Sequence, residues 1–285
     1  MPTPSLVAVG DNCLDVYLTK RSMTVGGNAL NVAVHWRRAG WSARYFGAVS
    51  SDSQGAVILE ELEKIGLSPE DVKRRPGDTA VTLLRDDGGD RKFLLEALGV
   101  GRDYMPGGDH YGIMAAADWV HLGTNANVDL VQRLVADRVS FSVDVSTAHR
   151  ALPLEGVPLV FASGPDEADQ PVEPLVTALR GSGARQVVVT CGSRGAFFSD
   201  GGALLHAPAT PVLVVDTCGA GDSFIAVFLA AFCCEKRGPA ESLHRATAEA
   251  AQTCLYIGGF PQTPRGIPDW LLAKYDEFIT PAEGS

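Results

Sequence analysis

The chain contains no Gly-Lys pair, no Cys-x-x-Cys pair and little lysine, and each shortage removes a class of function. Without Gly-Lys there is no Walker A loop to hold nucleotide phosphates. The cysteines at 13, 191, 218, 233, 234 and 254 have no histidine at zinc-finger spacing, and most stand in apolar runs. They read as buried free thiols of a reducing compartment rather than as a metal site or a disulfide framework. Positive charge is also short: 24 Lys and Arg oppose 34 Asp and Glu, for a net charge of −10. An acidic chain attracts neither nucleic acid nor an anionic membrane, so neither is expected as a partner. The longest apolar run, near Phe224–Cys234, is too short to span a bilayer. The early apolar stretch Ser5–Val9 has no basic leader and ends at Asp11, so a cytoplasmic protein is expected. No repeat or low-complexity segment interrupts the chain.

What is present is an alternation of strand-like and helix-like segments over 285 residues, 46% of them hydrophobic. Leu6–Gly10, Ala43–Val49, Trp119–Leu122, Ser140–Asp144, Leu159–Ala162, Val187–Thr190 and Val212–Val215 read as buried strands. Residues 26–38, 52–65, 128–137, 167–180, 224–232 and 240–257 read as helices, with Pro171 and Pro174 delaying the start of the fourth. Such alternation predicts an α/β fold with a mostly parallel sheet covered on both faces. Residues 79–85 and 91–95 flank a turn-forming acidic Gly-Gly segment and predict a hairpin foreign to that pattern, a projecting flap. Residues 196–200 and 203–206 predict a second hairpin, and the Gly-rich residues 100–112 a loop.

The most informative run is Val215-Asp216-Thr217-Cys218-Gly219-Ala220-Gly221-Asp222-Ser223-Phe224. It sets glycines at the mouth of an apolar helix, where unpaired backbone N–H groups and the helix dipole favour an anion such as phosphate. It is not a dinucleotide fingerprint, because Phe224 stands where the third glycine belongs. Asp222 in that position can accept a proton from an attacking hydroxyl, or can serve only as a partner of the dipole. Other polar clusters fall at predicted strand ends, where open α/β sheets bind ligands: Asp11, Asn12 and Asp15, then Gly192–Gly195. Asn28 and Asn31 share one helix face at i, i+3 spacing, and amides suit sugar hydroxyls because each donates and accepts. Helix capping for the two Asn, and turn formation for the two Asp, are the competing readings.

Taken together, Gly26-Gly27-Asn28-x-x-Asn31, Thr190-x-Gly192-x-x-Gly195 and Asp216-Thr217-x-Gly219-Ala220-Gly221-Asp222 resemble the ribokinase/phosphofructokinase-B carbohydrate kinases in order along nearly the whole chain. Within them, residues 10–17, 26–34 and 219–226 look closest to the fructoselysine 6-kinases. The resemblance implies a single three-layer α/β/α domain over 1–285, with a small β lid built from about 16–23 and 78–95. It implies ATP-dependent phosphorylation of a sugar hydroxymethyl, with Asp222 as catalytic base and the amides of Gly219, Ala220 and Gly221 as anion hole. Asp11, Asp15, Gly27, Asn28 and Asn31 would bind the sugar, with Arg91 near the flap's turn reaching the substrate or its acidic tail. Thr190, Gly192 and Gly195 would line the nucleotide, and magnesium would accompany ATP.

The chain departs from the family in one place. Where many members carry Asn-x-x-Glu to place magnesium, this chain has Ser163-Gly164-Pro165-Asp166-Glu167, so Asp166 or Glu167 must substitute. Asp216 stands where a monovalent-cation (K+) loop would lie. Cys218 sits in the cradle, where alkylation should slow turnover. A fructosamine such as fructoselysine is the leading acceptor, with another ketose or a nucleoside as the alternative and a non-catalytic sugar-binding protein as the reading from outside the class. A free hairpin edge on the lid would suit a homodimer.

Overall fold

The computed structural model describes residues 3–87 and 90–283, with side chains described outside 86–92 and 280–283. In chain order the strands are β1 (Ser5–Val9), β2 (Cys13–Tyr17), β3 (Ser22–Gly26), β4 (Ser42–Val49), β5 (Val72–Arg74), β6 (Val81–Asp87), β7 (Asp90–Ala97), β8 (Trp119–Leu122), β9 (Phe141–Asp144), β10 (Leu159–Ser163), β11 (Val187–Thr190), β12 (Ala196–Ser199), β13 (Leu205–Ala207) and β14 (Arg265–Gly266). The α-helices are α1 (Asn28–Arg38), α2 (Ser53–Ile65), α3 (Gly108–Ala116), α4 (Val128–Ala136), α5 (Glu173–Gly181), α6 (Ala220–Leu229), α7 (Pro239–Thr253), α8 (Asp269–Lys274) and α9 (Asp276–Glu283).

Nine strands form the main sheet in the order β13-β12-β11-β10-β9-β8-β1-β4-β5. The strands from β11 to β5 pair in parallel, and β12 and β13 add an antiparallel edge. Successive side chains of a strand point to opposite faces, and β1 shows the consequence. Leu6 and Ala8 join a core with α1, α2, α6 and α7, while Val7 and Val9 join another with α3, α4 and α5. Two buried faces explain why β1, β10 and β11 read as continuous apolar runs rather than as alternating ones. The result is a three-layer α/β/α fold. Among the described residues, no helix is long and apolar enough to cross a membrane.

The second sheet has five strands in the order β14-β3-β2-β6-β7. This is the predicted lid with shifted bounds. Its first part is the antiparallel pair β2 and β3, so the expected segment 16–23 straddles the turn between them. Strand β6 joins β2 in parallel, β7 closes the hairpin, and the short β14 lines the other edge. Leu14, Val16, Val25, Val81 and Leu83 belong to the same core as α1 and α2, which fastens the small sheet to the body.

Two sequence expectations fail. Residues 212–215 form no strand, and Leu213 is 91% exposed. The β-branched run has strand propensity, but a strand needs a neighbour to satisfy its backbone, and Pro211 has no N–H to offer. Only at its end does the run attach, where the N–H groups of Val215 and Asp216 donate to the Cys254 carbonyl (2.8 and 3.3 Å). Residues 100–112 are not all loop either, because α3 begins at Gly108. Its glycines read as breakers, yet Tyr111 and Met114, three apart on one face, are buried in the core. Helices α8 and α9 and strands β5 and β14 were not foreseen.

Candidate active site

The site begins where β3 turns into α1. Gly27 has φ +115°, and a Cβ there would stand 2.4 Å from the Cα of Asn12, so glycine is required. No side chain of this turn caps α1. Asp11, at the carboxyl end of β1, takes that role from across the chain and accepts from the N–H groups of Asn28 (3.0 Å) and Ala29 (3.2 Å). Burial raises the Asp11 carboxyl above its ordinary range, and the two amides oppose the shift.

Asn28 and Asn31 do share a helix face, and the structure gives them a partner that sequence reasoning did not assign. Nδ2 of Asn28 donates to Oδ1 of Asp222 (2.7 Å), and Nδ2 of Asn31 donates to Oδ2 of the same carboxylate (2.6 Å). The second hydrogen of the Asn28 amide goes to Oδ2 of Asp144 (2.9 Å), while its oxygen accepts from the N–H of Thr124 (3.2 Å). Asp222 is therefore gripped at both oxygens, and each keeps lone-pair capacity for one more donor. Asp144, the last residue of β9, was missed. An Asp closing an apolar strand at the carboxyl edge of the sheet was the signal available.

Three carboxylates, Asp11, Asp144 and Asp222, thus gather around Asn28. Burial, reinforced by the charges of Asp144 and Asp11, raises the Asp222 carboxyl to about 7 against the hydrogen bonds of Asn31 and Asn28. Burial likewise raises Asp144 to about 6, opposed by hydrogen bonds from the Ser146 N–H and Asn28. A carboxylate near 7 is far better suited to accept a hydroxyl proton at neutral pH than the ordinary Asp expected from sequence.

The glycine cradle lies on the same loop. Gly219 has φ +72°, with a hypothetical Cβ only 2.3 Å from the Cα of Gly259. Helix α6 starts at Ala220 with no side chain capping it, and open space lies before Gly221, where an added Cβ would meet nothing within 4 Å. That is the geometry of an anion site at a helix N-terminus, with Asp222 in its first turn. The Ala220 N–H has a loop partner, the Thr217 carbonyl at 3.3 Å.

Asp216 is bonded quite differently. It accepts from the Tyr17 hydroxyl (2.8 Å) and the Gly258 N–H (3.0 Å) on one oxygen and from the Cys218 N–H (3.0 Å) on the other. This ties lid strand β2 to the cradle loop. Such a donor set fits a hydrogen-bonded strut better than a cation ligand. Asp15 lies beside the strut rather than in the Asn28 cluster. It accepts from the Cys13 thiol (3.3 Å) and faces the Cys218 thiol (3.7 Å). A Cβ on Gly26 would come within 2.1 Å of its Oδ2, which explains the first glycine of the pair.

The third predicted cluster forms a unit of its own at the ends of β10 and β11. Nη1 of Arg194 donates to the carbonyls of Pro165 (3.0 Å), Glu167 (2.8 Å) and Gln170 (2.7 Å), locking the loop after β10 onto the turn after β11. Thr190 donates to the Ala162 carbonyl (3.4 Å). Gly192 has φ +48°, and a Cβ there would meet Oδ1 of Asp166 at 2.7 Å, so Asp166 borders the turn. Asp166 and Glu167 are both exposed, and among the described residues no three acidic, His or Cys groups converge on a metal centre. Gly195 completes the turn. The Arg91 side chain lies outside the described residues.

Beside the Asn28 cluster, a cavity runs between the ends of β1 and β8 and the lid strands β6 and β7. Asp11 is common to both, since it caps α1 and also lines the cavity.

Comparison with known proteins agrees with this architecture. The pfkB family of carbohydrate kinases matches residues 5–106 and 159–264, more than half of the chain. The fructosamine kinase FrlD of Bacillus subtilis is 32% identical over 90% of this chain and 92% of its own length. The fructoselysine 6-kinase of Escherichia coli is 31% identical over 90% of this chain and 99% of its own. Among solved structures, Arabidopsis thaliana ribokinase complexed with ribose and ATP superposes with a TM-score of 0.79 at 21% identity, covering 93% of this chain and 96% of that one. An α/β/α body, a five-stranded lid sheet and this order of motifs lead to one conclusion: the chain belongs to the pfkB family of carbohydrate kinases and is a sugar kinase, a phosphotransferase with an alcohol acceptor.

Proposed function

We propose that the protein transfers the γ-phosphoryl group of ATP to the hydroxymethyl group of a fructosamine such as fructoselysine. The grip of Asn28 and Asn31 on Asp222, at the open mouth of α6, carries this reading. The acceptor hydroxyl approaches Asp222 and gives up its proton there. The phosphoryl group passes in front of the Gly219–Gly221 turn at the mouth of α6, and there the Ala220 N–H has to exchange the Thr217 carbonyl for a phosphate oxygen. Phosphoryl transfer depends on positioning and charge neutralisation, and the fixed carboxylate and cradle supply both.

Magnesium bound with the nucleotide would supply positive charge against the charge that develops on the phosphates. Magnesium needs only one or two carboxylates besides phosphates and water, and Asp166, beside the Gly192 turn, is the protein group that would hold it. No step runs through a monovalent ion at Asp216. Two relatives named for fructosamine and fructoselysine, at 32 and 31% identity, support the choice of acceptor.

A panel of fructoselysine, fructose, ribose and adenosine, assayed for acceptor-dependent ADP release, tests the proposal. Fructoselysine should give the highest kcat/KM. Preference for fructose or adenosine would move the enzyme to another acceptor. An acceptor that raises Tm without releasing ADP would mark a binding protein instead.

A further inference from the structure

The cavity beside the Asn28 cluster carries charges that phosphoryl transfer does not use. Glu96, on lid strand β7, and Arg102, just beyond residues 99–101, line it together with Asp11 and Asn12. Among the described residues, neither the Glu96 nor the Arg102 side chain makes a hydrogen bond or an ion pair. Glu96 is near enough for its negative charge to be felt at Asp11. Asn12 is almost wholly buried, and its Oδ1 has no hydrogen-bond partner among the described residues. Among the described residues, the lining therefore carries two carboxylates, Asp11 and Glu96, and one guanidinium, that of Arg102.

This pattern discriminates between acceptors. A neutral ketose has hydroxyls but no charge to set against Glu96 or Arg102. A sugar bearing only an anion meets Asp11 and Glu96 as like charges, which is unfavourable in a partly desolvated cleft. A guest that is cationic near the sugar and anionic further along answers both. It relieves the acidic wall and presents a carboxylate to the planar donor fork of Arg102. Asp11 stands where the cavity meets the cluster, so the sugar's far end can reach Asp222 while its substituent extends beneath the lid.

Resting on the fructosamine reading above, we infer that this cavity is the subsite for the amino-acid part of the acceptor. Glu96 receives the secondary ammonium of a 1-amino-1-deoxyketose, and Arg102 receives its carboxylate.

The test compares kcat/KM on fructoselysine, on 1-deoxy-1-butylaminofructose, which has the amine but no carboxylate, and on fructose. Wild type should favour fructoselysine over the butylamino analogue by about 10-fold, equivalent to ~1.4 kcal/mol. Arg102→Ala should bring that ratio close to one, mainly through KM, and Arg102→Lys should restore part of it. Glu96→Gln should lower both amine-bearing acceptors relative to fructose by about 10-fold. Unchanged ratios in variants with wild-type Tm, while wild type still prefers fructosamines, would overturn the subsite alone. A wild type with no preference for fructosamines over fructose would overturn the acceptor reading and the subsite with it.

Discussion

Asp216 and Asp222 lie on one short stretch of chain, flanking the same glycine turn, yet their surroundings divide their roles. Asp216 takes two backbone N–H groups and a phenol from three separate segments, so its charge is met by donors that join parts of the fold. Among the described residues, Asp222 takes the amides of Asn28 and Asn31 alone, with Asp11 and Asp144 nearby raising the cost of ionisation. One carboxylate is placed where its charge stabilises the assembly. The other is placed where its charge is costly, which suits the proton-accepting role proposed for it. Residue type did not separate the two; the donors and neighbouring charges did.

The sharpest way to break this comparison is to neutralise each side. Asp222→Asn keeps the shape of the side chain and removes the proposed proton acceptor, so kcat should fall at least ~100-fold. Sign matters for its stability: a carboxyl raised to about 7 in the fold is ionised at a cost above that pH. Asp222→Asn should therefore hold or raise Tm at pH 8, and a large loss of Tm there would make Asp222 a structural residue like Asp216. On the other side, Tyr17→Phe deletes one donor of the strut and leaves the buried Asp216 carboxylate short of a partner. That should cost about 1–3 kcal/mol, lowering Tm by roughly 2–6 °C. Turnover by the protein that stays folded should change much less than in Asp222→Asn. Thermal melts and steady-state rates on the two variants read the contrast directly.

The sequence made the body of the fold legible because parallel strands buried on two faces leave long apolar runs, as in Val187–Thr190. It misled at Val212–Val215, where the same residue types stand without a neighbouring strand. It misled again at α3, where glycines masked the Tyr111–Met114 face. Asp222, Asn28 and Asn31 were legible as polar residues in special settings. Their contact was not, since it joins positions nearly two hundred residues apart. Asp144 and Glu96 escaped for a related reason. Each matters through what the folded chain brings beside it, Asn28 in one case and the cavity wall in the other.

The smallest effect tests the electrostatic half of the comparison. With Asp222 raised to about 7 and acting as the proposed base, kcat/KM should climb with pH through that region and level off above it, because only an ionised carboxyl can take a proton. Asp144 contributes to that position through its like charge, while Asn28 joins the two carboxylates through one amide. Asp144→Asn removes the charge and nearly keeps the shape. The Asp222 carboxyl then ionises more readily, and the acid limb of the profile should move to lower pH by of order one unit. The position of the limb, not the height of the plateau, is the informative quantity, since a merely structural role for Asp144 would lower the plateau and leave the limb in place. A limb that stayed fixed would mean that the Asp144 charge does not set the proton affinity of Asp222, which would leave burial and Asp11 to raise it.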